Sequence, residues 1–140
     1  MKHILFLMML FAGKQLYAQN PENWTQKDLI EPAELASVIQ SGKKVPLIIC
    51  VGPGAVIPNS IHVGMAKEEA NLDKFKEEIK KYHRKKEIVI YCGCCPFEHC
   101  PNVRPAIQAL KDMHYTNYRL LDLPHNVKTD WISKGYPVTN

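Results

Sequence analysis

One stretch of this sequence holds most of the residues able to do covalent chemistry: Cys92-Gly93-Cys94-Cys95-Pro96-Phe97-Glu98-His99-Cys100-Pro101-Asn102-Val103-Arg104. Four of the five cysteines fall between Cys92 and Cys100, a density that chance spacing does not produce. Cys92 closes an apolar run and the stretch leads into a helix pattern, so its thiol is expected between a strand end and a helix N-terminus. Unpaired backbone N–H groups and the positive end of a helix dipole favour a thiolate there. Gly93 lets the backbone turn so that the following amides face inward as an anion-binding nest, lined by Cys94 and Cys95. Arg104 is expected to add positive charge near the same point. Cys92 is therefore the candidate nucleophile, of a kind that accepts sulfur and passes it on.

Two other chemistries draw on the same side chains. In an oxidising compartment spare cysteines tend to pair, and Cys94 or Cys95 with Cys100 could close a small loop. Cys50 ends a neighbouring apolar run, so Cys50 and Cys100 are the possible redox partners of Cys92 in a thiol–disulfide relay. Five cysteines leave at least one thiol free in a monomer. A metal-binding loop is the third reading, with zinc or copper(I) ligands from Cys92, Cys94, Cys95, His99 and Cys100. The spacing Cys-x-Cys-Cys-x4-Cys is not a usual paired zinc pattern, and adjacent cysteines rarely share one tetrahedral ion, so no metal is assigned.

The elements around the loop alternate in type. Pro32 suits a first helical turn, with Leu35, Val38 and Ile39 on one face and Gly42 just past the end. Leu47 to Val51 reads as a buried strand, closed by Gly52-Pro53-Gly54. Leu72, Phe75, Ile79 and Tyr82 form an apolar stripe on a charged helix, whose end carries the basic run from Lys80 to Lys86. Glu87 to Cys92 is the next strand. Pro105 opens a third helix with Ile107, Leu110 and Met113 inward, Tyr118 to Asp122 is a third strand, and a short helix surrounds Trp131 and Ile132. Strands apolar throughout, separated by amphipathic helices, predict an α/β fold with a mostly parallel sheet and helices on both faces. Ligands gather outside the carboxyl ends of such strands, where Cys92 falls.

Several of these stretches resemble a rhodanese domain, over roughly Trp24 to Val138. Glu87-Ile88-Val89-Ile90-Tyr91-Cys92 is similar to the family's hydrophobic strand ending in Tyr-Cys. Ile57-Pro58-Asn59-Ser60-Ile61 is similar to its His-Ile-Pro-Gly-Ala stretch, and Trp131-Ile132-Ser133-Lys134-Gly135-Tyr136-Pro137-Val138 to its terminal Trp, Gly, Tyr-Pro-Val signature. Trp24 and Leu29-Ile30 match the opening. The resemblance implies a sulfurtransferase in which Cys92 takes sulfane sulfur as a persulfide, cradled by the amides that follow, with no organic cofactor. The departures are specific. Cys50-Val51-Gly52 replaces the family's acidic-Arg pair, and Val56 replaces the usual His. The loop is long, and Glu98 stands where the phosphatase branch needs Arg.

The remaining features bound location and partners. Lys2 followed by the apolar run Ile4 to Ala12, with Ala18 before Gln19, is laid out as a secretory signal peptide cut after Ala18. The run is too short to span a bilayer stably. The expected organisation is thus a signal at 1–18, a linker at 19–28 and one domain at 29–140, periplasmic or secreted and free of the membrane after cleavage. Loss of Lys2 and Lys14 takes the balance of 18 basic and 14 acidic residues from +4 to 16 − 14 = +2. That is too little for a nucleic-acid or membrane surface. The expected partners are a small sulfur donor, a thiol acceptor, and a partner protein where one delivers the sulfur.

Overall fold

The computed structural model describes residues 24–139. The expected signal segment and its cut after Ala18 lie outside the described residues, as do residues 19–23. The last part of the expected linker, Trp24 to Asp28, is structured. Asp28 Oδ2 accepts from both the Thr25 amide and its hydroxyl at 2.8 Å, closing a 3-10 turn, Gln26–Asp28. Trp24 packs on Phe97 with ring centroids 5.8 Å apart. The domain therefore starts by Trp24, not Leu29; the polar composition of the segment hid a capping box and one aromatic anchor.

Five strands form a parallel sheet in the order β1-β5-β4-β2-β3: β1 Leu29–Ile30, β2 Leu47–Cys50, β3 Ile61–His62, β4 Ile88–Tyr91 and β5 Tyr118–Leu121. Their connections carry α1 Pro32–Ser41, α2 Glu69–Ile79 and α3 Val103–Asp112, with a short α4 Val127–Asp130 after β5. The α/β expectation holds, and every strand pair is parallel. The three longer strands match the apolar runs. α1 ends as anticipated, with Gly42 in the left-handed region at φ 65°, where a Cβ is disfavoured. α3 begins two residues before Pro105, since a proline in the first turn removes no intrahelical hydrogen bond.

Strand alternation sorts the core into two layers. Ile49, Val51, Ile88, Ile90, Cys92 and Leu120 pack with Phe75 and Ile79 of α2 and with Val103, Ile107 and Leu110 of α3. Ile48, Cys50, Val89, Tyr91 and Leu121 pack on the other face with Leu35 of α1 and Trp131. Trp131 is fully buried, and its indole N–H donates to the Pro137 carbonyl at 2.7 Å, so the terminal signature closes the second layer. At the far end, Lys80 and Lys81 pair with Glu77 and Glu78 at 2.6 Å; the basic run is a solvated helix end.

β2 and β4 are neighbours whose connections leave in opposite directions, β2 towards β3 and β4 towards β5. Ligands usually bind outside the carboxyl ends of the strands at such a reversal in open parallel sheets. Cys92 follows directly on β4 at that end.

Candidate active site

Three devices set the position of Cys92. The register places Cys50 beside Tyr91, and the Val51 amide donates to the Tyr91 carbonyl at 2.8 Å, so Cys92 follows on the layer of α2 and α3. The Tyr91 hydroxyl points to the other layer, where it accepts from the amides of Val56 and Ile57 at 3.1 and 3.3 Å. The Ile57–Ile61 stretch thereby bolts down the end of β4. Gly52 supplies the third device. A Cβ there would stand 2.1 Å from the Cys92 carbonyl oxygen and 2.8 Å from its Sγ, so only glycine lets β2 pass this closely.

The loop then turns at Gly93, whose φ is 86° and whose absent Cβ would meet Val127 at 3.0 Å. The Val127 amide donates to the Gly93 carbonyl at 2.9 Å, and the Phe97 amide to the Leu123 carbonyl at 3.2 Å. A 3-10 turn, Phe97–His99, with Phe97 buried, brings Cys100 back under Cys92. The outcome is a cluster of four sulfurs, those of Cys92, Cys94, Cys95 and Cys100, all within 4.8 Å of one another. Cys92 and Cys94 sulfurs are 3.2 Å apart, and those of Cys94 and Cys95 3.3 Å. Cys92 and Cys100 are buried, Cys95 is half-buried and Cys94 exposed.

Asn102, which the sequence did not single out, completes the surround. It is 2% exposed. Its Oδ1 accepts from the Lys67 amide at 3.1 Å, which turns its Nδ2 to donate to Cys92 Sγ at 3.3 Å. Donors favour the thiolate over the thiol. The Cys100 thiol, hydrogen-bonded to Cys92, lowers the Cys92 pKa most; burial opposes it, and the Cys94 amide, the Asn102 side chain and the Cys94 thiol bring it to about 5. Cys94 is raised to about 12, by burial and then by its hydrogen bonds to Cys92 and Cys95. Cys100 is raised too, by its hydrogen bond to Cys92 and by burial, while the amides of Asn102 and Val103 pull the other way. These contacts bias ionisation towards Cys92 and away from Cys94 and Cys100.

Gly93, Cys94 and Cys95 lie beside Cys92 in the loop. Arg104 does not. Its guanidinium donates to the Glu98 carbonyl at 2.7 Å and lies 4.7 Å over the Trp24 ring, bracing the loop from outside. Arg104 follows Asn102 by two residues, about 200° around a helix of 3.6 residues per turn, so it turns away from the face that Asn102 presents to Cys92. Cys50 is a second correction. Its sulfur comes within 4.0 Å of the Cys92 carbonyl oxygen and donates to the Gly54 carbonyl at 3.3 Å, but strand alternation puts it on the opposite layer. Cys100 remains as a possible redox partner. His99 is exposed and outside the sulfur cluster, and His62 Nε2 bonds the Gly52 carbonyl at 2.8 Å, beneath the site.

No family model matches the sequence, and no curated protein matches it either. Solved structures do match by shape. The rhodanese-like domain of the Anabaena sp. Alr3790 protein aligns with 81% of this chain and 79% of its own, at 14% identity and a TM-score of 0.56. The Saccharomyces cerevisiae single-domain sulfurtransferase RDL2 aligns with 80% of this chain and 95% of its own, at 16% identity and a TM-score of 0.55. The chain has the rhodanese-like fold.

Proposed function

We propose that this protein is a sulfurtransferase that carries sulfane sulfur as a persulfide on Cys92, and that it is exported after loss of residues 1–18. The observation that carries the reading is Cys92 Sγ at the strand end, held by Asn102 Nδ2 at 3.3 Å and by the Cys94 amide. Those donors are positioned for a sulfur anion, and a persulfide is one. The thiolate attacks the sulfane sulfur of the donor; with thiosulfate, Cys92–S⁻ and S₂O₃²⁻ give Cys92–S–S⁻ and sulfite. An acceptor thiolate then takes the outer sulfur and restores Cys92–S⁻, so charge and sulfur balance at each step. Arg104 is committed to Glu98 and Trp24, and neutral N–H dipoles do the binding. That arrangement favours a low-molecular-weight persulfide or polysulfide over a dianionic donor.

The test is mass spectrometric. Reduced protein treated with a sulfane donor and digested gains one sulfur, about 32 Da, on the Cys92 peptide, and Cys92→Ser gains none. A protein that takes up no sulfur but forms a Cys92–Cys94 or Cys92–Cys100 bond is instead a thiol–disulfide relay, the second reading. The 3.2 Å separation of the Cys92 and Cys94 sulfurs favours that alternative. Export is tested by N-terminal sequencing of protein recovered from the periplasm or medium of a bacterial host, which begins at Gln19 if the cut follows Ala18.

A further inference from the structure

A persulfide carrier uses the first cysteine of the loop and leaves the convergence of the other three unexplained. Twelve residues of chain from Cys92 to Val103, a buried Phe97 anchor and a 3-10 turn bring Cys100 back beside Cys92, with Cys94 and Cys95 on the same side. We infer that the sulfurs of Cys92, Cys94, Cys95 and Cys100 form a binding site for one thiophilic metal ion.

The geometry suits an ion of zinc size. With metal–sulfur bonds of about 2.3 Å, a tetrahedral site has sulfur–sulfur edges of about 3.8 Å. The separations here run from 3.2 Å to no more than 4.8 Å and straddle that edge. Adjacent cysteines usually diverge, which argues against their sharing an ion. Cys94 and Cys95 do not diverge: their sulfurs are 3.3 Å apart. An all-sulfur set selects soft or borderline ions, zinc or copper(I), over magnesium or calcium.

The surroundings supply what a tetrathiolate needs next. Binding of Zn²⁺ forms four Zn–S bonds and leaves a dianion, releasing one proton from each sulfur still protonated, with no electron transferred. Asn102 Nδ2 and the Cys94 amide donate to the Cys92 sulfur, and the amides of Asn102 and Val103 at the start of α3 donate to that of Cys100. N–H donors of this kind orient thiolate ligands and spread their charge. Asn102 is itself locked by the Lys67 amide at 3.1 Å. If the sulfur-transfer reading holds, a bound ion occupies the thiolate it uses, and the loaded protein takes up no sulfane sulfur.

The experiment is a titration of the purified, reduced protein with Zn²⁺ against a chromogenic chelator, repeated with Co²⁺ as a spectroscopic probe. One equivalent of zinc is expected, with sulfur-to-cobalt charge-transfer absorption and the strong visible bands of a tetrahedral site. Cys94 is exposed, so Cys94→Ser leaves the core untouched. It weakens zinc by more than the roughly 10–100-fold that loss of an outer-shell partner costs, whereas Cys50→Ser on the other layer changes nothing. Zinc uptake that survives both Cys94→Ser and Cys100→Ser, a cobalt spectrum without sulfur charge transfer, or no zinc held against the chelator overturns the inference. Sulfane uptake measured on metal-free wild-type protein separates the two proposals. A Cys92 adduct there supports sulfur transfer whatever the zinc result, and its absence beside intact wild-type zinc binding sinks sulfur transfer alone.

Discussion

Cys50 and Cys92 end adjacent strands within one residue of the same register position, and their surroundings are opposites. Cys50 lies among Ile48, Tyr91, Leu35 and Trp131 with the Gly54 and Cys92 carbonyls as acceptors, and burial raises its pKa against fewer donors, the Gly52 amide and the Tyr91 side chain. Cys92 lies on the other layer among nitrogen donors and other thiols, and its pKa falls to about 5, chiefly through Cys100. Both are buried, so burial does not separate them. The difference is the number and direction of donors, and a one-residue offset on a pleated strand decides it.

The largest expected effect breaks that comparison outright. Cys92→Ser abolishes both sulfane uptake and rapid alkylation, while Cys50→Ser preserves both. In metal-free native protein at about pH 6, iodoacetamide should label Cys92 at least tenfold faster than Cys50, because the thiolate is the reacting form. Peptide mapping reads the ratio, which collapses in denaturant. Equal labelling of the two native thiols would show that the donors around Cys92 do not bias its ionisation.

The next effect concerns the contact between the two strand ends. Gly52→Ala places a methyl 2.1 Å from the Cys92 carbonyl oxygen, whereas Gly54→Ala meets nothing within 4 Å. Forced overpacking costs about 1–3 kcal/mol, so thermal denaturation should show Gly52→Ala well below wild type and Gly54→Ala close to it. The shift at position 52 should also slow Cys92 alkylation, since backbone and nucleophile move together. A Gly52→Ala protein as stable and reactive as wild type would mean that the two strand ends are free to separate.

A smaller effect isolates one donor. Asn102→Asp retains an oxygen for the Lys67 amide, removes the donor to Cys92 Sγ and sets a like charge beside it. A carboxylate at that distance raises a thiol pKa by about 1–3 units, so the alkylation profile of Cys92 moves to higher pH by that amount. Labelling at about pH 6 then falls by about twofold for a shift of one unit and about tenfold for a shift of two. An unchanged profile would remove Asn102 from the positioning residues and leave the thiols and the Cys94 amide responsible for the bias.

These residues divide by how they could be read. The strands Leu47–Cys50, Ile88–Tyr91 and Tyr118–Leu121 are apolar at nearly every position, which only a sheet covered on both faces requires, and Cys92 follows from its place at the end of one. β1 and β3 span two residues each and carry no period to recognise. Asn102 looks like an ordinary helix start, yet its side chain makes no cap bond; its role depends on Lys67, 35 residues earlier. Arg104 was legible as a charge near the loop but not as a direction, which needs the phase of α3. Convergence of the four sulfurs depends on the Phe97 anchor and on Gly93 meeting Val127, contacts that spacing alone does not encode.

The smallest effect tests how the Cys50 layer holds the Cys92 loop. Asp130 is buried at the end of α4 and accepts from the His125 amide at 2.7 Å, His125 Nδ1 at 2.9 Å and the Asn126 amide at 3.0 Å. Burial pushes its carboxyl up, but the hydrogen bonds from His125 and Asn126 outweigh it and hold the pKa below the usual 3.8. A depressed carboxyl stabilises the fold above its unfolded pKa and loses that stabilisation as pH falls through the folded value. The loss therefore belongs below 3.8, and neutral pH leaves it intact. Asp130→Asn should cost about 1–2 kcal/mol at neutral pH and flatten the acid limb of the stability curve. Because the Val127 amide of α4 holds the Gly93 carbonyl at 2.9 Å, hydrogen exchange at Val127 should quicken in the variant, with Cys92 labelling little changed. If Cys92 reactivity falls as far as it does in Asn102→Asp, the loop depends on α4 for its chemistry as well as its anchorage, and the two layers are one unit.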